Sequence, residues 1–226
     1  RVTSHGIPHP WSWLEHIWRR WTVDDSQKKQ KKTECSSTSW FEQGETWAYT
    51  CIKRKSYFWV AFAVGKWTQN TCRAMFNKVS KRIQPPTFTD RLNILSDGND
   101  DYTFVMPEFF KKDCINYGQL IKIRENGKLV GKVKRIVFGN PKREEIETTD
   151  VENFNGIIRE RVGRFVRRTK CYGKKTERVS NALSVFQFYW NFMKPIKEKL
   201  TPAIIEGQAT KVWTWGNFLN TKLKYL

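Results

Sequence analysis

Two carboxylates stand in settings that could do chemistry. Asp97 follows the short apolar run 92–95 and Ser96, and precedes Gly98. α/β folds place reactive side chains where a central strand ends and the chain turns off the sheet. The same Asp-Gly pair also serves as a plain turn. Glu152 lies in the stretch 148–178, TTDVENFNGIIRERVGRFVRRTKCYGKKTER. Thr149 or Asp150 can cap a helix there, because a side-chain oxygen can accept a backbone N–H of the first turn. Helical spacing puts Glu152, Asn155 and Arg159 on one face and Ile158, Val162 and Phe165 on an apolar stripe. Arg161, Arg164 and Arg168 line a third side, with Lys170, Lys174 and Lys175 beyond. A carboxylate near a helix start, with basic rows leading away, suits a site that holds a divalent cation beside phosphates. Taken alone, the same stretch is a solvated basic helix whose Glu152 merely favours the helix dipole.

These groups need elements to position them. Residues 46–52 (TWAYTCI) read as a strand and 53–56 as a basic turn. The near-continuous apolar run 57–64 (YFWVAFAV) fits a strand covered on both faces. Residues 71–83 have helical spacing, and Pro85-Pro86 then break the chain. A hairpin is expected over 119–138, turning at Asn126-Gly127. Residues 180–193 read as a buried helix ended by Pro195, and 201–206 as a short one. Residues 1–40 show no clean period despite five tryptophans, and 24–39 reads as a flexible polar linker. His5, His9 and His16 lack matching metal ligands nearby. The expected division is a poorly ordered segment over 1–40, a main domain over 41–195 and a tail over 196–226.

A chain of 226 residues with 39% hydrophobic and 15% aromatic content can build a real core. Its net charge of +19 attracts polyanions: DNA, RNA or an anionic membrane surface. The five cysteines are odd in number, widely spaced and form no C-x-x-C pair, so neither a disulfide framework nor a structural zinc site is expected. No signal peptide is visible, and the longest apolar run is far below the roughly 20 residues that span a bilayer. A reducing, cytoplasmic interior is the expectation.

Strand, strand, helix, strand with Asp97, hairpin, and helix with Glu152 is the outline of a ribonuclease-H-like α/β domain: a mixed sheet flanked by helices, here with a β-hairpin insertion. Three blocks resemble the transposases of insertion-sequence-one (InsB-type) elements, which carry a DDE catalytic core. FEQGETW over 41–47, with the aromatic strand after it, looks like the family's x-E-L-D-E-x-W block. ILSDG over 94–98 is similar to its T-D-G block, and VENFNGIIRERVGRFVRRTKCYGKK over 151–175 to its E-x-x-N-x-x-x-R block. Together they cover about residues 41–195. The resemblance implies two divalent metals, Mg2+ or Mn2+, held by three carboxylates. Asp97 corresponds to the second carboxylate and Glu152 to the third. The first falls on Gly44, which has no ligand atom. Glu45 points to the opposite face of a strand from Gly44, and Glu42 lies about 7 Å further back along it.

The resemblance thus implies a DNA transposase that nicks element ends and joins them to target DNA, impaired at position 44. It also implies association with DNA and not with a membrane. Asn155 and Arg159 would position DNA. Lys53, Arg54, Lys55, Arg161, Arg164, Arg167, Arg168, Lys170, Lys174 and Lys175 would neutralise phosphates. A homo-oligomer is compatible with this reading. The alternative is a non-catalytic DNA-binding relic of the same fold, which the glycine at 44 favours. A membrane-surface or RNA-binding protein is a third reading, allowed by charge and tryptophan content.

Overall fold

The computed structural model describes residues 46–126, 128–165 and 175–221, together with the backbone of 34–37. Two compact units result: Gln30–Ser180, and a second whose described part is 181–221. The first is a mixed α/β fold. Its strands are β1 (Glu34–Ser37), β2 (Trp47–Lys53), β3 (Phe58–Gly65), β4 (Leu92–Asp97), β5 (Ile115–Glu125) and β6 (Lys128–Phe138). Its helices include α1 (Gln69–Arg82), α2 (Asp101–Val105) and α3 (Thr149–Arg161). A β2–β3 hairpin and a mixed β4–β5–β6 sheet are joined through β1, giving the order β3-β2-β1-β4-β5-β6. Strand β1 runs antiparallel to β2 and parallel to β4. Strands β4 and β5 are parallel, whereas β5 and β6 form an antiparallel hairpin.

β1 lies within the stretch expected to be a linker. Its sequence, ECSS, has no apolar alternation, and it is in the sheet because strands on both sides supply its backbone partners. The other strands follow their composition. β3 is buried over its first six residues, as an apolar run between two helical layers requires. The turn residue Asn126 sits at φ 50°, the left-handed conformation that asparagine tolerates in hairpins.

One face of the sheet is covered by α1 and α2. There Tyr102 meets Tyr49 edge-on at 5.9 Å and Phe76 of α1 at 6.1 Å. α1 turns Cys72, Met75, Phe76 and Val79 inward, a helical stripe. The opposite face carries α3: Phe154 packs against Trp59 at 5.1 Å, and Asn155 takes a hydrogen bond from Thr50. Just before α3, Ile146 closes over Leu95 and Leu120. Gly118 makes that approach feasible, since a Cβ there would fall 2.7 Å from Ile146 Cδ1.

The basic helix is shorter than its sequence period implies. α3 stops at Arg161; Val162 is extended, and a single 3-10 turn covers Gly163–Phe165. Gly163, a poor helix residue, stands where the helical run fails. Val162 and Phe165 are nevertheless buried, so the apolar stripe serves the core through a turn instead of a longer helix. Arg161 and Arg164 therefore do not share one helical row, and Arg167, Arg168, Lys170 and Lys174 lie outside the described residues. Cys51 is enclosed and disulfide-bonded, while Cys72 and Cys114 are free.

The second unit holds most of α4 (Thr176–Phe188), a π-helical turn over Tyr189–Met193, α5 (Pro202–Ile205) and α6 (Trp215–Leu219). Phe188 is its hub, with Phe192, Phe218 and Trp213 at 4.9, 4.6 and 5.6 Å. Thr214 and Asn217 form a reciprocal capping box for α6. Among the described residues no helix is long and apolar enough to cross a membrane.

Replacing Phe154 by Ala should cost about 3–5 kcal/mol, because a fully buried ring is lost from the α3–sheet contact. Urea unfolding followed by tryptophan fluorescence reads this directly, since Trp59 is the ring it touches.

Candidate functional site

Asp97 is the last residue of β4, and the turn after it is tied down. Asp97 Oδ1 accepts the Asn99 N–H at 3.3 Å, Asn99 Oδ1 accepts the Asp101 N–H at 3.0 Å, and Gln119 Nε2 donates to the Asn99 carbonyl at 3.2 Å. Gly98 passes close over β5; a Cβ there would sit 3.2 Å from Ile121 Cγ1. Asp97 pairs with Leu120 of β5, so the two side chains share a sheet face. Lys122 lies two residues, about 7 Å, further along that same face. Its ammonium meets Glu152 Oε1 at 2.5 Å. Asp97 and Glu152 are therefore on one side of the sheet, with Lys122 on the same face and bonded to Glu152.

Glu152 sits in the first turn of α3. Thr148, the N-cap residue, makes no side-chain cap and donates its hydroxyl to Glu152 Oε1 instead. Burial pushes the Glu152 carboxyl up, but the Lys122 contact, the Thr148 hydrogen bond and the Lys132 charge outweigh it and hold the group below its ordinary 4.5. Glu152 is thus ionised at neutral pH, with a built-in counter-cation.

The neighbouring residues form a latch. Asp150, expected as a possible cap, takes the Arg54 Nε at 3.1 Å and the Tyr57 hydroxyl at 2.8 Å. Arg54 Nη1 also donates to the Glu145 carbonyl at 2.8 Å. Burial, then the hydrogen bond to Asp150, pushes Tyr57 up to about 12, so it remains a donor. These contacts fasten the β2–β3 turn to the start of α3.

Two expected DNA contacts are thereby reassigned. Asn155 is fully buried, with its amide oxygen 3.1 Å from Thr50 Oγ1; it fixes α3 to β2 and does not face a ligand. Arg54 is committed to Asp150 and Glu145 and belongs to the latch. Lys53, Arg159 and Arg164 are half-buried, while Lys55, Arg161 and Lys175 are exposed. Gly44, Glu42 and Glu45 lie outside the described residues. Strand β1 pairs Ser37 with Ser96, one residue before Asp97, so the central strand reaches the site from residues preceding the FEQGETW block. Lys122, Thr148 and Lys132 were not anticipated. The only trace of Lys122 is its place in the alternation LIKI, and the face it joins is set by pairing with another strand.

Among the described residues the donor set falls short of the three carboxylates of two-metal chemistry. Asp97 and Glu152 offer hard oxygen atoms suited to Mg2+ or Mn2+, but Glu152 already carries an ammonium, and no group of three His, Cys, Asp or Glu able to hold a metal occurs among the described residues. No protein-family model and no curated protein matches the chain.

Replacing Lys122 by Gln should raise the Glu152 pKa, since burial then meets only Thr148 and Lys132; a carboxyl-carbon NMR titration measures it. Because the folded value is depressed, the stability contributed by Glu152 is complete above about pH 4.5 and fades as pH falls through the folded value. K122Q should narrow that loss and shift it to higher pH. Asn155→Ala should cost about 1–3 kcal/mol of stability by leaving the enclosed Thr50 hydroxyl without this acceptor, measured by urea unfolding, and should leave DNA affinity of the folded protein unchanged.

Proposed function

We propose that this chain is a DNA-acting protein of the DDE transposase class, built on a ribonuclease-H-like sheet, with its strand-transfer activity impaired by glycine at position 44. One observation carries the reading: Asp97 at the end of a parallel central strand and Glu152 in the first turn of α3 share one side of the sheet, where Lys122 pairs with Glu152. The strand order, with β2 and β3 antiparallel to their neighbours and β1, β4 and β5 parallel, supports the ribonuclease-H-like assignment. The net charge of +19 supports a nucleic-acid partner. In this reading Asp97 and Glu152 are the metal-holding pair, and Mg2+ or Mn2+ is the expected cofactor. Element ends and target DNA are the partners. Among the described cations, the exposed Lys55, Arg161 and Lys175 and the half-buried Lys53, Arg159 and Arg164 are the ones this reading assigns to hold them. With two carboxylates in place of three, no step of strand transfer is assigned to the metal.

The second reading, a non-catalytic DNA-binding relic, draws on a specific contact. Lys122 supplies at Glu152 the positive charge that a metal ion would bring. DNA could then be held without any divalent cation.

Incubating supercoiled DNA with the chain, with Gly44→Asp and with Asp97→Ala, each with Mg2+, Mn2+ or chelator, separates the readings. The impaired transposase should nick weakly with metal, G44D should nick at least tenfold faster, and D97A should not nick. Metal-independent binding without nicking by the unmodified chain or by G44D would leave the relic reading in place. Undiminished nicking by D97A would remove the assignment of Asp97.

A further inference from the structure

The β5–β6 hairpin is absent from the roles assigned so far. β5 is buried as far as Leu120 and exposed from Ile123 onward, and β6 is exposed or half-buried along its whole length. β6 is also the last strand of the sheet, so its outer backbone edge faces away from any other strand of the order. Between Ile121 and Phe138 the hairpin carries six Lys or Arg side chains against one Glu, Glu125. Lys122 and Lys134 are turned to Glu152 and Glu147, and Arg135 lies 3.8 Å from Asp100. Lys128 at the turn and Lys132 in mid-strand are exposed.

Pairing of Lys122 with Lys132, and of Leu120 with Lys134, puts these three lysines on the face that carries Asp97. Of these, Lys122 and Lys134 meet carboxylates, so exposed positive charge begins at Lys132 and reaches Lys128 at the turn. On the two faces of the ribbon Leu129, Val130, Val133 and Ile136 are about half exposed. A second copy of the chain is a poor match for this edge, because antiparallel edge pairing would bring lysine rows together. A polyanion matches it. A two-stranded ribbon is also an element that a B-DNA major groove admits, and exposed apolar side chains there can meet thymine methyl groups.

We propose that the outer half of the β5–β6 hairpin is a second DNA-binding element, with Lys128 and Lys132 contacting phosphates along a duplex groove. It rests on the reading of this chain as a DNA-binding protein and extends the contact surface away from α3. The ribbon positions the duplex so that it continues onto the face holding Asp97 and Glu152.

The test is fluorescence anisotropy of a random-sequence DNA duplex with the full chain over a salt series. Lys128→Gln combined with Lys132→Gln should weaken binding alike for all sequences and lower the slope of log K against log salt by about 2. Both side chains are exposed, so an unchanged circular dichroism spectrum is expected. An Arg161→Gln, Lys175→Gln variant is the parallel arm. If only that arm weakens binding, the hairpin proposal fails and the DNA reading stands. If the unmodified chain shows no salt-dependent DNA binding, the DNA reading itself fails. Two other outcomes overturn the proposal: self-association of the hairpin variant with unchanged DNA affinity, which would make the lysines edge guards, and a loss confined to duplex RNA.

Discussion

One enclosed hydrogen bond, from the Thr50 hydroxyl to the Asn155 amide oxygen, fixes how α3 is rotated against the sheet. A buried amide left unpaired is costly, so the helix cannot turn about its axis without losing that bond. The rotation then determines the rest. Phe154 meets Trp59, Asp150 meets Arg54 and Tyr57, and Glu152 is delivered to Lys122. The apolar contact supplies most of the stabilisation, because burying a large ring outweighs a half-exposed ion pair. The polar contacts supply direction. Asn155 contributes to the site through the helix it orients.

The Lys122–Glu152 pair admits both functional readings, and magnitudes show why. The two side chains are 26% and 39% exposed, a setting in which an ion pair is worth about 0–1 kcal/mol. Such a pair holds Glu152 ionised and aimed, yet it is weak enough for a divalent cation to displace the ammonium. The pair therefore preorganises the carboxylate without closing it to metal. Among the described residues Asp97 and Glu152 are the two carboxylates assigned to this site, and the position that resembles the first is a glycine.

Legibility in the sequence followed the range of the interactions. β2, β3, α1, β4 and the β5–β6 hairpin were readable because apolar periodicity, Pro85-Pro86 and Asn126-Gly127 are local signals. Asp97 at a strand end was readable for the same reason. β1 was not: a four-residue polar strand is specified by neighbours far away in the chain. Asn155 shared helical spacing with Glu152, and spacing alone cannot say which flank of a helix meets the sheet. The Arg-rich row looked continuous because arginine is a good helix former; Gly163 and the burial of Val162 and Phe165 ended the helix earlier. Arg54 looked like a phosphate contact because the sequence hides its partner Asp150, almost a hundred residues on.

The positive charge is not spread evenly over the described surface, and that unevenness has a structural cause. Around the start of α3 the cations meet carboxylates: Arg54 with Asp150, Lys122 with Glu152, Lys134 with Glu147. Those acids cluster between residues 144 and 152, directly before and within the first turn of the helix, where the helix dipole favours them. The helix start is thereby close to neutral despite the basic chain around it. Further out, the sequence of the hairpin tip sets one acid, Glu125, beside Arg124 and Lys128. A polyanion approaching this unit would be drawn first to the ribbon and to the exposed Arg161 and Lys175, rather than to the carboxylates. An acidic centre bordered by cationic ground holds phosphates at its rim while keeping its own carboxylates ionised. That arrangement would be needed by an active strand-transfer site, and a relic would retain it for as long as α3 stays docked.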